Sequence, residues 1–94
     1  MSDLRVNYET YPNQSNRGGV ERYLEFGVPP GGFLTAVICN NLKEAVGRAD
    51  DTNQALLVDI IGWWYNEAPA ASWGSREHMD RWIVSRRERC DKQD

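Results

Sequence analysis

Hydrophobic residues recur along the chain mainly at helical spacing, and they are densest between residues 51 and 67. Asp50 or Asp51 can cap the start of a helix there, where a carboxylate suits the helix dipole, and Pro69 prevents the helix from continuing. When this segment is projected at about 100° per residue, large apolar side chains cover well over half of its circumference. They are Leu56, Leu57, Val58, Ile60, Ile61, Trp63, Trp64 and Tyr65. The pattern predicts a central helix that several neighbouring elements cover.

The one stripe of this helix that lacks large apolar residues contains Ala55, Asp59, Gly62 and Asn66. Ala55 and Gly62 are small, so another helix could approach closely while Asp59 and Asn66 bond to its backbone or to water. Alternatively, the stripe is a polar groove between aromatic walls. The sequence leaves both interpretations open.

The same spacing predicts three further helices, over about 17–26, 32–49 and 75–90. Gly27 can close the first with a left-handed cap, and Ser72 or Ser75 can cap the last. We expect the helix over 32–49 to pack one face on the central helix and the helix over 75–90 to lie on the surface of the bundle. That last helix has a narrow stripe of Met79, Trp82, Ile83, Arg86 and Cys90.

The predicted fold is all-α, a compact bundle of three to four helices in a single domain with an irregular arm over residues 1–16. At 94 residues the chain can bury about 65% of its unfolded surface, which is enough for one core. We expect the arm to be packed by its tyrosines, with a mobile terminus as the alternative.

The net charge of −3 is unevenly distributed. Residues 1–75 hold five basic and nine acidic side chains, whereas residues 76–94 hold six basic and five acidic ones. The near cancellation in the second segment argues against a DNA-binding protein. Cys39 and Cys90 are expected to be reduced, since the chain begins with no signal-peptide pattern, and no apolar run is long enough to span a membrane.

Catalytic and metal-binding groupings are not indicated by the sequence. His78 is the sole histidine, and the two cysteines lack the spacing of zinc ligands. Asp59 and Glu67 share a side of the central helix only loosely, so a pair of catalytic carboxylates is not expected. We predict a protein without enzyme activity, metal or cofactor.

Several residues are candidates for contact with a partner. Trp73, in the loop segment Trp73–Ser75, either plugs the bundle or presents its ring beside Arg76. Asn40 and Arg48 lie on the polar side of the helix over 32–49. Asn41 lies beside its apolar stripe, where it bonds to another helix or to a ligand.

Five short segments share a recognisable pattern: the sequences over 23–37, 40–45 and 49–53, followed by Y-N-x-A-P over 65–69 and W-G-S over 73–75. In this pattern the chain resembles a family of small proteins encoded by temperate phages and prophages. The stretches that contain the segments, 23–53 and 65–75, make up a little under half of the chain, which departs from the pattern at Asn41, where Asp is more common. The resemblance implies the bacterial cytoplasm and an accessory protein that occupies a host protein, as anti-CRISPR and other anti-defence proteins do.

The first functional hypothesis is therefore a helical binding protein, compatible with a homodimer, that modulates a host protein through Trp73, Arg76 and the polar side of the helix over 32–49. The second is a pocket for a nucleotide-like ligand in which Asp59, Asn66 and Asn41 make the polar contacts. The third is nucleic-acid binding by the last helix, where the run over 86–89 could touch phosphates and Trp82 could stack on bases. Association with a membrane is not expected.

Overall fold

The computed structural model describes residues 6–92, with side chains through Glu88, so residues 1–5 of the arm and the Cys90 side chain lie outside it. Every regular element in this range is helical, which confirms the predicted all-α fold. Short 3-10 helices occur at Tyr8–Thr10 and Ala70–Ser72. The α-helices are α1 (Gln14–Phe26), α2 (Gly32–Ile38), α3 (Leu42–Arg48), α4 (Asp51–Ala55), α5 (Leu57–Glu67) and α6 (Arg76–Lys92).

The first helix begins three residues earlier than predicted because Asn13 caps it. The Asn13 side chain accepts a hydrogen bond from the Ser15 amide at 3.1 Å. Gly27 ends α1 in the left-handed conformation, with φ at 69°, as the sequence predicted. A Cβ atom at Gly27 would lie only 2.8 Å from the carbonyl oxygen of Ile83, so α6 packs directly against this turn.

The prediction of one helix over 32–49 is wrong, because the chain turns at Cys39–Asn41 and separates α2 from α3. Asn40 adopts a positive φ of 59°, a conformation that asparagine tolerates better than most residues. The Asn41 side chain then accepts a hydrogen bond from the Glu44 amide at 3.3 Å and caps α3. The left-handed backbone of Asn40 and the capping side chain of Asn41 thus end α2, begin α3 and compete with helix continuation.

The central segment is also divided. Asp50 caps α4 by accepting from the Asn53 amide at 2.8 Å, as predicted, but Leu56 leaves helical geometry with φ −103° and ψ 7°. The division lets α4 face the start of α1. There the buried Asn53 side chain accepts hydrogen bonds from Asn13 at 2.7 Å and from Asn16 at 3.0 Å.

Two adjacent tryptophans of α5 form the centre of the core. Trp64 is fully buried, and its ring lies 6.3 Å from the ring of Tyr23 in α1. Trp63 packs edge-on against Tyr11 at 5.0 Å, and its indole N–H donates to the carbonyl oxygen of Asn7 and to Thr10 Oγ1. The N-terminal arm is thus packed by aromatic contacts over its described residues, as predicted.

One side of α5 is not covered, contrary to expectation. Val58 and Tyr65 are 84% and 79% exposed, whereas Ile60, Trp63 and Trp64 are buried. A Cβ atom added at Gly62 would meet no atom within 4 Å, which excludes the interpretation in which another helix approaches closely at this glycine.

Gly27, the left-handed cap of α1, and Gly62, inside α5, should respond oppositely to substitution by alanine. We expect Gly62→Ala to raise the free energy of unfolding by up to about 1 kcal/mol, because it improves helix propensity in open space. Gly27→Ala should lower it by about 2 kcal/mol or more, since a left-handed residue would press on Ile83. Urea unfolding of both variants measures the difference, and a stable Gly27→Ala variant would contradict the packing of α6 against α1.

Candidate functional site

Two adjoining depressions lie at the corner where α2 meets α3. The larger, which we name the arginine depression, has a volume of about 570 Å³ and is lined by Thr35, Cys39, Asn41, Glu44, Arg48 and Arg76 among others. The smaller, which we name the apolar depression, has a volume of about 150 Å³ and is lined by Val37, Asn40, Leu42, Ala45, Ile61 and Trp73 among others. Ala36 and Asn41 belong to both, so the two depressions share a wall.

The corner between α2 and α3 is fixed by backbone hydrogen bonds. The Asn41 amide donates to the carbonyl oxygen of Ala36 at 2.8 Å, and the Asn40 amide donates to that of Val37 at 3.0 Å. Leu42 follows directly as the first residue of α3, and its side chain is 65% exposed. The two asparagines therefore place an apolar side chain at the rim of the apolar depression.

The segment Trp73–Ser75 forms the opposite side of this region, and each of its residues has a structural task. Trp73 is half-buried and packs against Trp64 with ring centroids 6.0 Å apart, so it both fills the bundle and shows an edge to the surface. The Gly74 amide donates to the carbonyl oxygen of Ile38 at 2.7 Å, which ties the segment to the end of α2. Ser75 caps α6 by accepting from the His78 amide at 3.1 Å, as predicted.

Tyr23 stabilises the residue that precedes this segment. Its buried hydroxyl donates to the carbonyl oxygen of Ser72 at 2.7 Å. Burial raises the pKa of the Tyr23 phenol well above its usual value, and the nearby Cys39 and Asp80 raise it further. The phenol therefore stays neutral and remains a donor wherever the chain is folded.

The two arginines of the larger depression come from different helices. Arg48 Nε lies 3.0 Å from Glu44 Oε1, and Arg76 Nε lies 3.4 Å from Asp80 Oδ1. Both pairs are formed between residues of one helix, four apart, and more than half of each side chain is exposed. Such pairs contribute only about 0.3–0.5 kcal/mol, so the guanidinium groups remain available to another anion.

Asp59 and Asn66 lie elsewhere on the molecule. Both are exposed and line a separate depression beside Thr10 and Pro12, with a volume of about 640 Å³. The side-chain NH₂ group of Asn66 donates to the carbonyl oxygen of Gly62 at 2.9 Å. The expected pocket that combines Asp59 and Asn66 with Asn41 is therefore not formed, since Asn41 belongs to the corner of α2 and α3.

The basic end of the chain is less available than its sequence suggests. Trp82 and Arg86 are each 8% exposed, and the Arg86 guanidinium carbon lies 4.6 Å from the centre of the Trp82 ring. Neither side chain can stack on a base or reach a phosphate without leaving its packed position. This finding removes two of the groups on which the nucleic-acid hypothesis depended.

The pair Ser75 and His78 has the separation from which nucleophilic catalysis starts, with Ser75 Oγ 2.7 Å from His78 Nδ1. The hydroxyl is engaged as the cap of α6, and no carboxylate among the described residues bonds the other ring nitrogen. Within residues 6–88 no cluster of three or more His, Cys, Asp or Glu side chains is placed to hold a metal ion. No described helix is both long and apolar enough to span a bilayer.

The sequence predicts five of the residues that line the two depressions: Asn40, Asn41, Arg48, Trp73 and Arg76. It does not single out Leu42, and it predicts that Ile61 is covered. The spacing of Asn41 and Glu44, an asparagine three residues before a glutamate, is the signal of a helix start that could have revealed the corner.

Comparison with known proteins gives no relative: no family model, curated protein or solved structure matches the chain.

The contribution of the hydrogen bond between Tyr23 and Ser72 to the free energy of unfolding can be measured directly. We expect Tyr23→Phe to lower the free energy of unfolding by about 1–3 kcal/mol at neutral pH, because it leaves the buried Ser72 carbonyl without its partner. Urea unfolding followed by tryptophan fluorescence measures the change. The matched control is Tyr65→Phe, whose ring is exposed and which should behave like the wild type.

Burial also predicts how stability depends on pH. The pKa values of Tyr8, Tyr11 and Tyr23 are all raised, chiefly by burial, so in alkali the unfolded chain loses phenolic protons that the folded chain retains. The contribution of these three phenols to the free energy of unfolding is complete below about pH 10 and is lost progressively above it. In Tyr23→Phe the loss above about pH 10 should be shallower. An identical slope in the two proteins would contradict the burial of this phenol.

Proposed function

We propose that this chain is a non-catalytic, phage-type accessory protein that binds a host protein in the bacterial cytoplasm and modulates it, as an anti-defence inhibitor of the anti-CRISPR kind does. The observation that carries the proposal is the convergence of predicted partner-binding residues on the two depressions. Five of the seven come together there from two segments of the chain, 40–48 and 73–76: Asn40, Asn41, Arg48, Trp73 and Arg76.

The composition of this surface supports the proposal. Its apolar part contains the exposed Leu42 and the partly buried Ile61 and Trp73, with Asn40 and Asn41 beside them and Arg48 and Arg76 in the adjoining depression. Interfaces commonly combine an apolar centre with a polar rim, and Trp and Arg are frequent among the residues that contribute most to affinity. The Ser75–His78 pair lines neither depression, which favours recognition over catalysis at this surface.

The proposal predicts that one face of the chain captures the partner. Tagged wild-type protein should retain a host protein from a lysate of the bacterial host, and Leu42→Asp should reduce the retained amount about tenfold or more, because a charge would be placed in the centre of the contact. Pull-down with quantitative mass spectrometry measures retention.

The matched control for this variant is Val58→Asp, which places the same charge at an exposed apolar position of α5 that lines neither depression. It should retain the partner at the wild-type level. Equal retention by Leu42→Asp, or no specific protein retained by the wild type, would contradict the proposal.

A second candidate is the binding of a small anionic ligand, such as a nucleotide-like signal, in the arginine depression. Its volume of about 570 Å³ lies within the range typical of ligand sites, and two guanidinium groups from different helices reach it. This site differs from the pocket expected from sequence, because Asn41 is accompanied by Arg48 and Arg76 and not by Asp59 and Asn66.

Thermal shift against a panel of nucleotides tests the second candidate. A ligand at about 100 times its dissociation constant stabilises the folded state by about 2.7 kcal/mol, which raises the Tm of a chain of this size by on the order of 10 °C. Arg48→Ala combined with Arg76→Ala should abolish the shift, while Arg81→Ala should preserve it, because Arg81 lines neither depression. Absence of any shift across the panel would eliminate this candidate.

A further inference from the structure

The apolar depression has the dimensions of a single side chain. At about 150 Å³ it matches the size of a cavity that accepts benzene, and it is well below the volume of sites that hold whole metabolites. Val37, Ala45 and Ile61 form its walls, and Leu42 stands at its rim. One phenylalanine or leucine side chain from a partner would fill it.

The arginine depression determines which charge is favoured in the residues of a partner that flank this apolar side chain. Two of its three charged lining residues are cations, Arg48 and Arg76, and the third is Glu44; the Asp80 carboxylate that pairs with Arg76 does not line the depression. Among the described residues, Arg48 and Arg76 each pair with one exposed carboxylate of their own helix. A carboxylate on a bound protein can replace Glu44 or Asp80 in these ion pairs at little cost, since exposed pairs of this kind are weak.

The wall shared by the two depressions offers a backbone contact. The oxygen of the Asn41 side chain is occupied by the Glu44 amide, while its NH₂ group makes no hydrogen bond with any described residue. Asn41 lines both the apolar and the charged depression, so its NH₂ group can donate to a main-chain carbonyl of a peptide that crosses the shared wall.

From this arrangement we infer that the two depressions form one docking groove for an acidic peptide segment that carries a single large apolar side chain. The apolar side chain fills the apolar depression, Asn41 holds the main chain, and neighbouring carboxylates bind Arg48 and Arg76. The inference rests on the proposed function, because it specifies the chemistry of the protein that occupies this surface.

A phage-displayed library of short random peptides tests the specificity of the groove. The library is selected on wild-type protein and depleted on Leu42→Asp. The expected consensus contains one phenylalanine or leucine with at least two Asp or Glu residues beside it. No enrichment, or a basic or purely apolar consensus, would overturn the inference.

Fluorescence polarisation with the labelled consensus peptide then locates its site. Replacing its apolar anchor with alanine, or its acidic residues with lysine, should weaken binding about tenfold, as loss of a hot-spot contact does. Arg76→Ala should weaken binding several-fold more than Arg81→Ala, its matched control, which is also paired with a carboxylate four residues away on the exposed side of α6. Equal effects of the two substitutions would place the peptide elsewhere.

Two further outcomes would assign the groove to another occupant and overturn the inference. One is a labelled oligothymidylate that binds more tightly than the consensus peptide. The other is a wild-type dimer in size-exclusion chromatography that Leu42→Asp converts to a monomer. If no peptide is selected but a host protein is still captured through Leu42, only the acidic nature of the bound segment is refuted. If the peptide binds but no host protein is captured, only the proposed function is refuted.

Discussion

Two adjacent tryptophans on α5 dictate how the rest of the chain is arranged. Neighbouring positions on a helix point about 100° apart, so the two indole rings must be buried against different parts of the molecule. Trp64 is covered by α1 and by Trp73, and Trp63 is covered by the N-terminal arm. Because each ring buries a large apolar area, the arm and the connection before α6 are held to the same short helix.

This constraint leads directly to the candidate site. The Trp73 ring packs against Trp64, and the backbone N–H of Gly74 donates to the carbonyl oxygen of Ile38, the last residue of α2. The connection before α6 therefore lies beside the corner of α2 and α3, where it brings Arg76 close to Arg48 and Trp73 close to Leu42. This surface is assembled from three separate parts of the chain, which the packing of Trp73 on Trp64 and the Gly74 hydrogen bond hold together.

Local signals in the sequence were sufficient to predict several features of the fold. Gly27 marks the end of α1, and local signals narrow the caps of α4 and α6 to Asp50 or Asp51 and to Ser72 or Ser75, of which Asp50 and Ser75 make the hydrogen bonds. The turn at Asn40 was missed because the apolar spacing from Leu34 through Leu42 continues across it. The exposed side of α5 could not be predicted, because Val58 and Tyr65 are as hydrophobic as the buried positions and only the packing distinguishes them. The candidate site depends on that packing, so its polar residues were predicted singly but its two depressions were not.

Native-state hydrogen exchange at the Gly74 amide tests most directly whether the core holds the groove in place. This amide lies in a connection between helices, and its protection depends on the hydrogen bond to Ile38 that the packing of Trp73 on Trp64 maintains. We predict that it exchanges with a free energy within about 1 kcal/mol of that of the buried α1 amides, which open only on global unfolding. Exchange through local fluctuations, several kcal/mol below the core, would mean that the groove is not a preformed surface and would contradict this description.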